Sequence, residues 1–177
     1  MENKIEIKIV GDPVLYSKSE QVKVIDDEIK NIIENMKMAL KESGGFGIAA
    51  PQIGVLKRIV VINIDKEKCK YKDAEDVSNL VLINPTWKKV NDETYTEYEG
   101  CLSIPSIRGT VERYYNIEVE YQDENLEKRK IFAKGFLSRD MQHECDHLDG
   151  VLYISKVPAN GFAVLETIEK FDLRNKI

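Results

Sequence analysis

The stretch GFLSRDMQHECDHLDGVLY, residues 135–153, contains both histidines of this 177-residue chain. It predicts a helix that ends near Gly150, with His143 and His147 four positions apart. Because a helix turns about 100° per residue, the two imidazoles lie about 40° apart and point to one place. Glu144 lies about 60° from His147, on the flank of the same face. The stretch therefore predicts a helix with a polar site on one side.

The spacing of the two histidines is typical of a metal site. Two neutral imidazoles four residues apart can bind one divalent ion, while the adjacent Glu144 reaches a water at that ion without becoming a ligand. Cys145 points about 200° away from His143 and is predicted to be a small core residue. Short patterns of this kind also occur by chance on solvent-facing helices, so the metal hypothesis depends on further ligands.

Two other segments carry candidate site residues. In YEGCLSIP (residues 98–105), Cys101 stands in a glycine-containing turn. Its thiolate would complete a three-ligand site with an open fourth position, and the alternative is a buried structural cysteine. In GGFGIAAPQIG (residues 44–54), small residues let the backbone approach a ligand or another chain, and Gln52 is the one polar side chain. The alternative there is a tight connection from a helix to a strand.

The composition indicates one domain without a nucleic-acid or membrane partner. Lys and Arg total 26 against 31 Asp and Glu, so the net charge of −5 leaves no basic surplus for such surfaces. Hydrophobic residues make up 42% of the chain, and we expect a single domain over residues 1–177. The first residues mix apolar with charged side chains and no long apolar run occurs, so we expect a cytoplasmic protein. The three cysteines cannot all pair and are predicted to be reduced thiols.

Two stretches have the apolar spacing of amphipathic helices. Residues 26–43 predict the first, with Asp26 or Asp27 as its N-cap and a glycine pair at its end. Residues 160–173 predict the second, with Asn160 as its cap. The apolar residues are Ile29, Ile32, Ile33, Met36 and Leu40 in the first, and Phe162, Leu165, Ile168 and Phe171 or Leu173 in the second.

Four stretches predict strands: residues 58–64, 79–84, 110–122 and 126–135. The last two flank a turn-like cluster and alternate apolar with polar side chains, as an antiparallel pair does. The charged residues 65–78 predict an exposed loop, which argues against Cys69 in a buried site. This order predicts an α+β fold in which antiparallel sheets pack around the metal-binding helix, with an amphipathic helix near each end.

Three motifs, intact and in this order, closely resemble the peptide deformylases: GFGIAAPQ (residues 45–52), EGCLS (99–103) and QHECDH (142–147). The resemblance covers nearly the whole chain and implies one catalytic domain. It implies a metal site of Cys101, His143 and His147, and a catalytic group of Glu144, Gln52 and Leu102. In that family pattern Glu144 is the acid and base, and Gln52 and the backbone N–H of Leu102 hold the oxyanion.

The resemblance also implies the reaction and its partners. The expected reaction is metal-dependent hydrolysis of the N-formyl group from formyl-methionyl peptides of newly made proteins, with release of formate. The expected cofactor is one divalent metal ion, and the resemblance implies Fe²⁺, which the family typically uses. A thiolate with two imidazoles also accepts Zn²⁺, Ni²⁺ or Co²⁺. A nascent chain, association with the ribosome and a monomeric state are further expectations.

Substrate contacts are implied around the catalytic group. Gly45, Phe46 and Gly47 fall near the family's methionine pocket, and Phe46 is bulkier than the aliphatic residue often found there. Arg108 and Arg113 are candidates to steady the substrate backbone or the EGCLS loop by pairing with Glu99 in that loop, although exposed arginines are more often solubilising charges.

Two other functions compete with the deformylase hypothesis. A thermolysin-like protease would take Glu166, nineteen residues after His147, as its third ligand, but it leaves Gln52 and the EGCLS motif without a purpose. The second alternative is a binding domain that a structural metal ion stabilises. Such a metal ion normally has four protein ligands, and only three are convincing in this sequence.

Overall fold

The computed structural model describes residues 5–71 and 73–176. Within these ranges the α-helices are α1 (Asp27–Ser43), α2 (Gly135–Leu148) and α3 (Leu165–Phe171). The strands are β1 (Gly47–Ala49), β2 (Ile59–Ile64), β3 (Val77–Lys89), β4 (Thr94–Cys101), β5 (Ile104–Tyr114), β6 (Asn116–Gln122), β7 (Lys128–Lys134) and β8 (Phe162–Val164). The start of the chain, whose mixed apolar and charged residues supported the cytoplasmic prediction, includes residues 1–4, which lie outside the described residues.

Five strands form an antiparallel sheet in the order β1-β2-β3-β6-β7. Side chains of β2 alternate between its faces: Ile59 and Val61 pack in the cluster with α1, whereas Val60 and Ile62 pack in the cluster with α2. Because β2 is buried on both faces, its residues are β-branched except for the half-buried Asn63, in agreement with the predicted buried strand.

The N-terminal amphipathic helix is confirmed as α1. Asp26 is its N-cap, and its side chain accepts a hydrogen bond of 2.9 Å from the backbone N–H of Ile29. Gly44 ends the helix in the left-handed conformation, with φ of 68°. All five predicted apolar residues are buried.

Helix α2 lies between the five-stranded sheet and a second antiparallel sheet, ordered β4-β5-β8. Its apolar residues, including Phe136 and Met141, pack on the large sheet. Its polar side faces β5, where Ser138 Oγ donates to Tyr114 O and Arg139 Nη1 donates to Val111 O. The fold is therefore α+β with antiparallel sheets around the predicted helix, as expected. None of the helices in the described part of the chain is long and apolar enough to cross a membrane.

Residues 110–122 are extended as predicted, but they form parts of two strands rather than one, because the chain changes sheets at Tyr115. Strand β5 ends at Tyr114 in the small sheet, and β6 begins at Asn116 in the large one. Only β6 pairs with β7 as predicted. The alternation of apolar and polar residues is interrupted at the junction, where the polar pair Glu112-Arg113 is followed by the aromatic pair Tyr114-Tyr115, but this local break does not show that the strands enter different sheets.

The predicted C-terminal helix begins later than Asn160. Residues Phe162–Val164 form β8, which pairs with β5 through Gly109 and its neighbours, and α3 starts only at Leu165. These three residues lie within the stretch that has the apolar spacing of a helix, but pairing with β5 makes them a strand. The predicted exposed loop over residues 65–78 is also partly wrong, because Tyr71 in it is half-buried and packs against the core.

Candidate active site

The hairpin of β4 and β5 brings a cysteine onto the two histidines of α2. Cys101 ends β4, and a two-residue turn leads from it to Ile104. The ligand atoms of Cys101, His143 and His147 all lie within 4.8 Å of one another, and His147 Nε2 is 3.2 Å from Cys101 Sγ. One sulfur and two imidazole nitrogens suit a single divalent transition metal with an open position. The residues present therefore fit one metal ion.

A buried carboxylate orients the first histidine. Glu99 Oε2 lies 3.0 Å from His143 Nδ1. Because a carboxylate only accepts, this contact assigns the proton to Nδ1 and leaves Nε2 with its lone pair for a metal. His147 differs, since its buried Nδ1 has no hydrogen-bond partner among the described residues.

Two buried arginines hold Glu99 in place. Arg113 donates to Glu99 Oε1 at 2.8 Å and to Oε2 at 2.9 Å, and Arg139 Nη1 donates to Oε1 at 2.6 Å. Burial alone would raise the pKa of Glu99, but Arg113 and His143 more than offset it, so the pKa is lowered from its ordinary value of 4.5. Arg113 also donates to Asp146 at 2.5 Å. The Glu99 carboxylate is thus a fixed anion behind the metal ligands.

The surroundings of Cys101 favour the thiolate form of its side chain. Burial opposes its ionisation, but the His147 and His143 imidazoles hold its pKa well below the ordinary 9.0. The N–H of Ser103 and the amide of Gln52 each lie 3.4 Å from the sulfur. Thiolate is the form that binds metals, so the local electrostatics agree with the donor set.

The Gln52 amide is held in one orientation. Its Oε1 accepts a 2.8 Å hydrogen bond from the backbone N–H of Ala49, so its Nε2 faces Cys101 and Ser103. Gln52 is only 1% exposed, which limits other rotamers. The arrangement presents N–H donors beside the metal ligands.

Glu144 is buried without a full set of partners. Its Oε2 has no hydrogen-bond partner among the described residues. Burial, opposed by His143 and reinforced by the nearby Asp140, raises the pKa of Glu144 well above 4.5. Burial likewise raises the pKa of Asp140 to about 7. A buried carboxyl at a cavity, with its pKa raised by its surroundings, is a candidate for transferring protons in a reaction.

These groups surround one cavity of about 260 Å³. All the predicted site residues except His147 line it: Gly45, Phe46, Gly47, Gln52, Cys101, Leu102, Arg108, His143 and Glu144. His147 lies behind the cavity wall against Cys101. The structure therefore brings the three sequence motifs to one place.

Comparison with known proteins agrees with this geometry. The family model described as Polypeptide deformylase matches residues 4–162. The chain belongs to the polypeptide deformylase family.

Individual deformylases resemble the chain over most of its length. A peptide deformylase of Picosynechococcus sp. is 42% identical over 153 residues, which span 86% of this chain and 79% of the relative. Peptide deformylase 1 of Corynebacterium efficiens is 37% identical over 97% of this chain and 98% of its own. The solved structure of a Synechococcus elongatus peptide deformylase in complex with actinonin is 35% identical, with a TM-score of 0.79, and covers 99% of this chain and 88% of that one.

The reaction follows from this membership. The protein is a deformylase, a metal-dependent hydrolase that removes N-formyl groups from formyl-methionyl peptides of newly synthesised proteins. Its Cys/His/His group fits the single metal ion of such an enzyme.

The site of this deformylase also decides between earlier alternatives. Glu166 is exposed on α3 and lies outside the group of Cys101 and the two histidines, so the protease-like ligand set does not form among the described residues. Arg113 pairs with Glu99 as one hypothesis held, whereas Arg108 lies against Gly100 on the cavity wall. Cys145 is buried and separate from the ligand group, as predicted.

Sequence reasoning missed several residues of the deformylase cavity. These are Tyr71, Phe136, Arg139, Asp140 and Arg174. Asp140 precedes Glu144 by one helical turn, and that spacing was a usable signal. Tyr71 gave no such signal, because it lies in a charged stretch without periodicity. Contacts with distant residues place it at the cavity: its ring stacks on Phe136 and its hydroxyl donates to Tyr98 O.

Proposed function

We propose that this deformylase binds its metal ion through Cys101, His143 and His147 and uses Glu144 as the group that transfers protons. The observation that carries the proposal is that a thiol and two imidazoles cluster beside one cavity, which an oriented amide and a carboxyl with an unpartnered oxygen also line. We further propose that residues 1–177 act as a single catalytic domain.

The chemistry divides between the metal and the side chains. When bound, a divalent ion polarises a carbonyl and lowers the pKa of a water from about 15.7 toward 7. Glu144 takes the proton of the attacking water while the water oxygen bonds to the formyl carbon. Glu144 then delivers that proton to the amine nitrogen as the C–N bond breaks. Formate and a free N-terminus are the products.

Gln52 and the backbone N–H of Leu102 stabilise the negative charge that develops on the formyl oxygen. Gln52 suits this role because Ala49 holds its amide with the donors turned toward Cys101. Preorganised donors of this kind contribute about 3 kcal/mol each to transition-state stabilisation.

Gly45, Phe46, Gly47 and Arg108 are proposed to contact the substrate. Phe46 supports the apolar side of the cavity, since its ring lies edge-on to Phe136 with 5.4 Å between centroids. Among the described residues, the guanidinium of Arg108 has one hydrogen bond, of 2.9 Å, to Ile107 O. Its remaining donors suit the carbonyl groups of a bound peptide.

The proposed resident metal is Fe²⁺, with Zn²⁺, Ni²⁺ and Co²⁺ as ions that the same donors accept. The enzyme is proposed to work in the cytoplasm as a monomer. Its substrate there is a formyl-Met nascent chain, met at the ribosome as that chain emerges.

Anaerobic reconstitution tests the proposal. Apoprotein is loaded separately with Fe²⁺, Zn²⁺, Ni²⁺ or Co²⁺, and formate release from formyl-Met-Ala-Ser is measured together with bound metal. Fe²⁺ is expected to give the highest turnover at one ion per chain. Cys101→Ser should lose metal, while Glu144→Ala should keep metal and lose turnover. Retention of metal by Cys101→Ser, or turnover by Glu144→Ala, would contradict the assigned roles.

A further inference from the structure

A buried carboxyl that the proposed mechanism does not use lies beside Glu144. Asp140 is one turn before Glu144 on α2, so the two side chains share a face. Both flank the bare Cα of Gly47, where a Cβ would lie 2.7 Å from Asp140 Oδ2 and 2.8 Å from Glu144 Oε1. Asp140 therefore lies on the cavity wall next to the reacting groups.

Asp140 has an unsatisfied oxygen. The residue is 9% exposed, and its Oδ2 has no hydrogen-bond partner among the described residues. Glu99 also lines the cavity and is also buried, yet Arg113 and Arg139 bind both of its oxygens. Because buried polar groups in folded proteins nearly always have partners, an unpartnered carboxyl on a cavity wall indicates a place for a ligand group.

Three aromatic rings line the cavity that contains Asp140. Tyr71 stacks on Phe136 with 4.2 Å between centroids and 17° between planes, and Phe46 meets Phe136 edge-on with 5.4 Å between centroids. All three line the same cavity as Asp140. This combination suits a side chain with an apolar stem and a polar end.

We propose that Asp140 is a specificity-determining residue, which lets the enzyme accept formyl peptides whose first side chain is polar and about as long as methionine. This inference rests on the proposed function, because it requires that the cavity hold the first side chain of the substrate. The carboxyl supplies a hydrogen bond at the position that methionine fills with its weakly accepting sulfur.

Glutamine and norleucine are matched probes for this hydrogen bond. Both have about the length of methionine. The glutamine amide donates to an ionised carboxylate and accepts from a neutral acid, so it bonds to Asp140 in either state. Norleucine has no hydrogen-bonding group. The ratio of their kcat/KM values therefore isolates the contribution of Asp140 from general damage to the site.

The experiment measures kcat/KM for formyl-Met-Ala-Ser, formyl-Gln-Ala-Ser and formyl-norleucyl-Ala-Ser with metal-loaded wild type, Asp140→Leu and Asp140→Asn. Asp140→Leu should lower the Gln-to-norleucine ratio about tenfold or more, because the amide loses its partner in a buried site. Asp140→Asn keeps a hydrogen-bonding group and should hold the ratio within about threefold of wild type. Asp140→Ala replaces Asp140→Leu if the latter does not fold.

A second readout avoids turnover. In a Glu144→Gln background, calorimetry should show that Asp140→Leu weakens binding of the product Gln-Ala-Ser more than that of norleucyl-Ala-Ser. A ratio that is unchanged between wild type and Asp140→Leu, in kinetics and in binding, would overturn the role of Asp140 while formyl-Met turnover persists. Absence of formyl-Met turnover in the wild type would instead overturn the proposed function, and this inference with it.

Discussion

Glu99 and Glu144 are both buried and both border His143, yet their surroundings differ. Each oxygen of Glu99 accepts hydrogen bonds from arginine, and Oε2 also contacts His143. Glu144 Oε2 has no partner among the described residues. As a consequence, the pKa of Glu99 is lowered from its ordinary value, whereas the pKa of Glu144 is raised.

The difference shows how one site can contain two kinds of carboxyl, Glu99 from β4 and Glu144 from α2. A buried carboxylate that must stay ionised needs cations and hydrogen bonds to offset its desolvation, and Glu99 has them. A carboxyl that must change its protonation state works best when the two states are close in free energy. Burial without a full set of hydrogen-bond partners shifts Glu144 toward its neutral form, because it raises the pKa above the ordinary 4.5.

The largest expected effect comes from removing the unpaired carboxyl. Glu144→Gln keeps the shape of the side chain but cannot take a proton, so turnover should fall about 10²- to 10⁴-fold. Metal content should stay at the wild-type level, because Glu144 is not a proposed ligand. Formate release and metal analysis of the same sample provide the measurement. Turnover within about threefold of wild type would remove Glu144 from the chemistry.

Removing the paired carboxylate should instead damage stability and metal binding. Glu99→Gln leaves the buried Arg139 without its anion and leaves Arg113 with Asp146 alone, which costs about 3–5 kcal/mol of unfolding free energy. His143 loses its orienting carboxylate, so metal affinity should fall about 10- to 100-fold. Urea unfolding and metal titration measure the two effects.

The control for Glu99 is an exposed carboxylate in an ion pair. Glu20 pairs with Lys57 at 3.0 Å on the surface, and Glu20→Gln should leave the unfolding midpoint unchanged. If Glu99→Gln and Glu20→Gln gave the same midpoint, the buried network would not stabilise the fold.

A third test fills the space between the unpaired carboxyls. Gly47→Ala places a methyl group within 3 Å of Asp140 and Glu144, so unfolding free energy should fall by about 1–3 kcal/mol and kcat should fall with it. In Gly45→Ala the new methyl meets the ends of Leu102 and Leu40 at 3.1 and 3.2 Å, which can shift. Equal losses of kcat in the two variants would show that displacement of Glu144 is not the cause.

The smallest effect should come from the far side of the large sheet. Asp26→Ala removes the N-cap of α1 and should lower the unfolding free energy by about 1 kcal/mol. The kcat/KM of the folded protein should not change, since α1 supplies none of the proposed catalytic or metal-binding groups. Thermal unfolding and formate release measure these outcomes, and a loss of kcat/KM would show that α1 is coupled to the site.

Elements with a strong local signal could be predicted from the sequence. The cap and apolar face of α1 and the β-branched run of β2 are examples, because each pattern reflects contacts on its own element. Only the resemblance to a known family predicted that the residues of the three motifs form one site, since no local sequence pattern places Cys101 against α2. The structure does bring them together, and their catalytic and ligand roles stay predictions.

Features that depend on distant contacts could not be predicted. The sequence near Tyr115 breaks the alternation but does not show that β5 and β6 enter different sheets, and β8 forms by pairing with the edge of β5. Tyr71 reaches the cavity through its stacking on Phe136. The pairing of Glu99 with Arg139 likewise joins residues 40 positions apart. None of these contacts leaves a periodic trace in the sequence.

X-ray absorption spectroscopy of anaerobically prepared, zinc-loaded protein tests the central claim most directly, because it reports the atoms bound to the metal. The account predicts one sulfur at about 2.3 Å and two imidazole nitrogens at about 2.0–2.1 Å. It also predicts that Cys101→Ser removes the sulfur signal. A metal shell without sulfur in the wild type, or one that is unchanged in Cys101→Ser, would contradict the account.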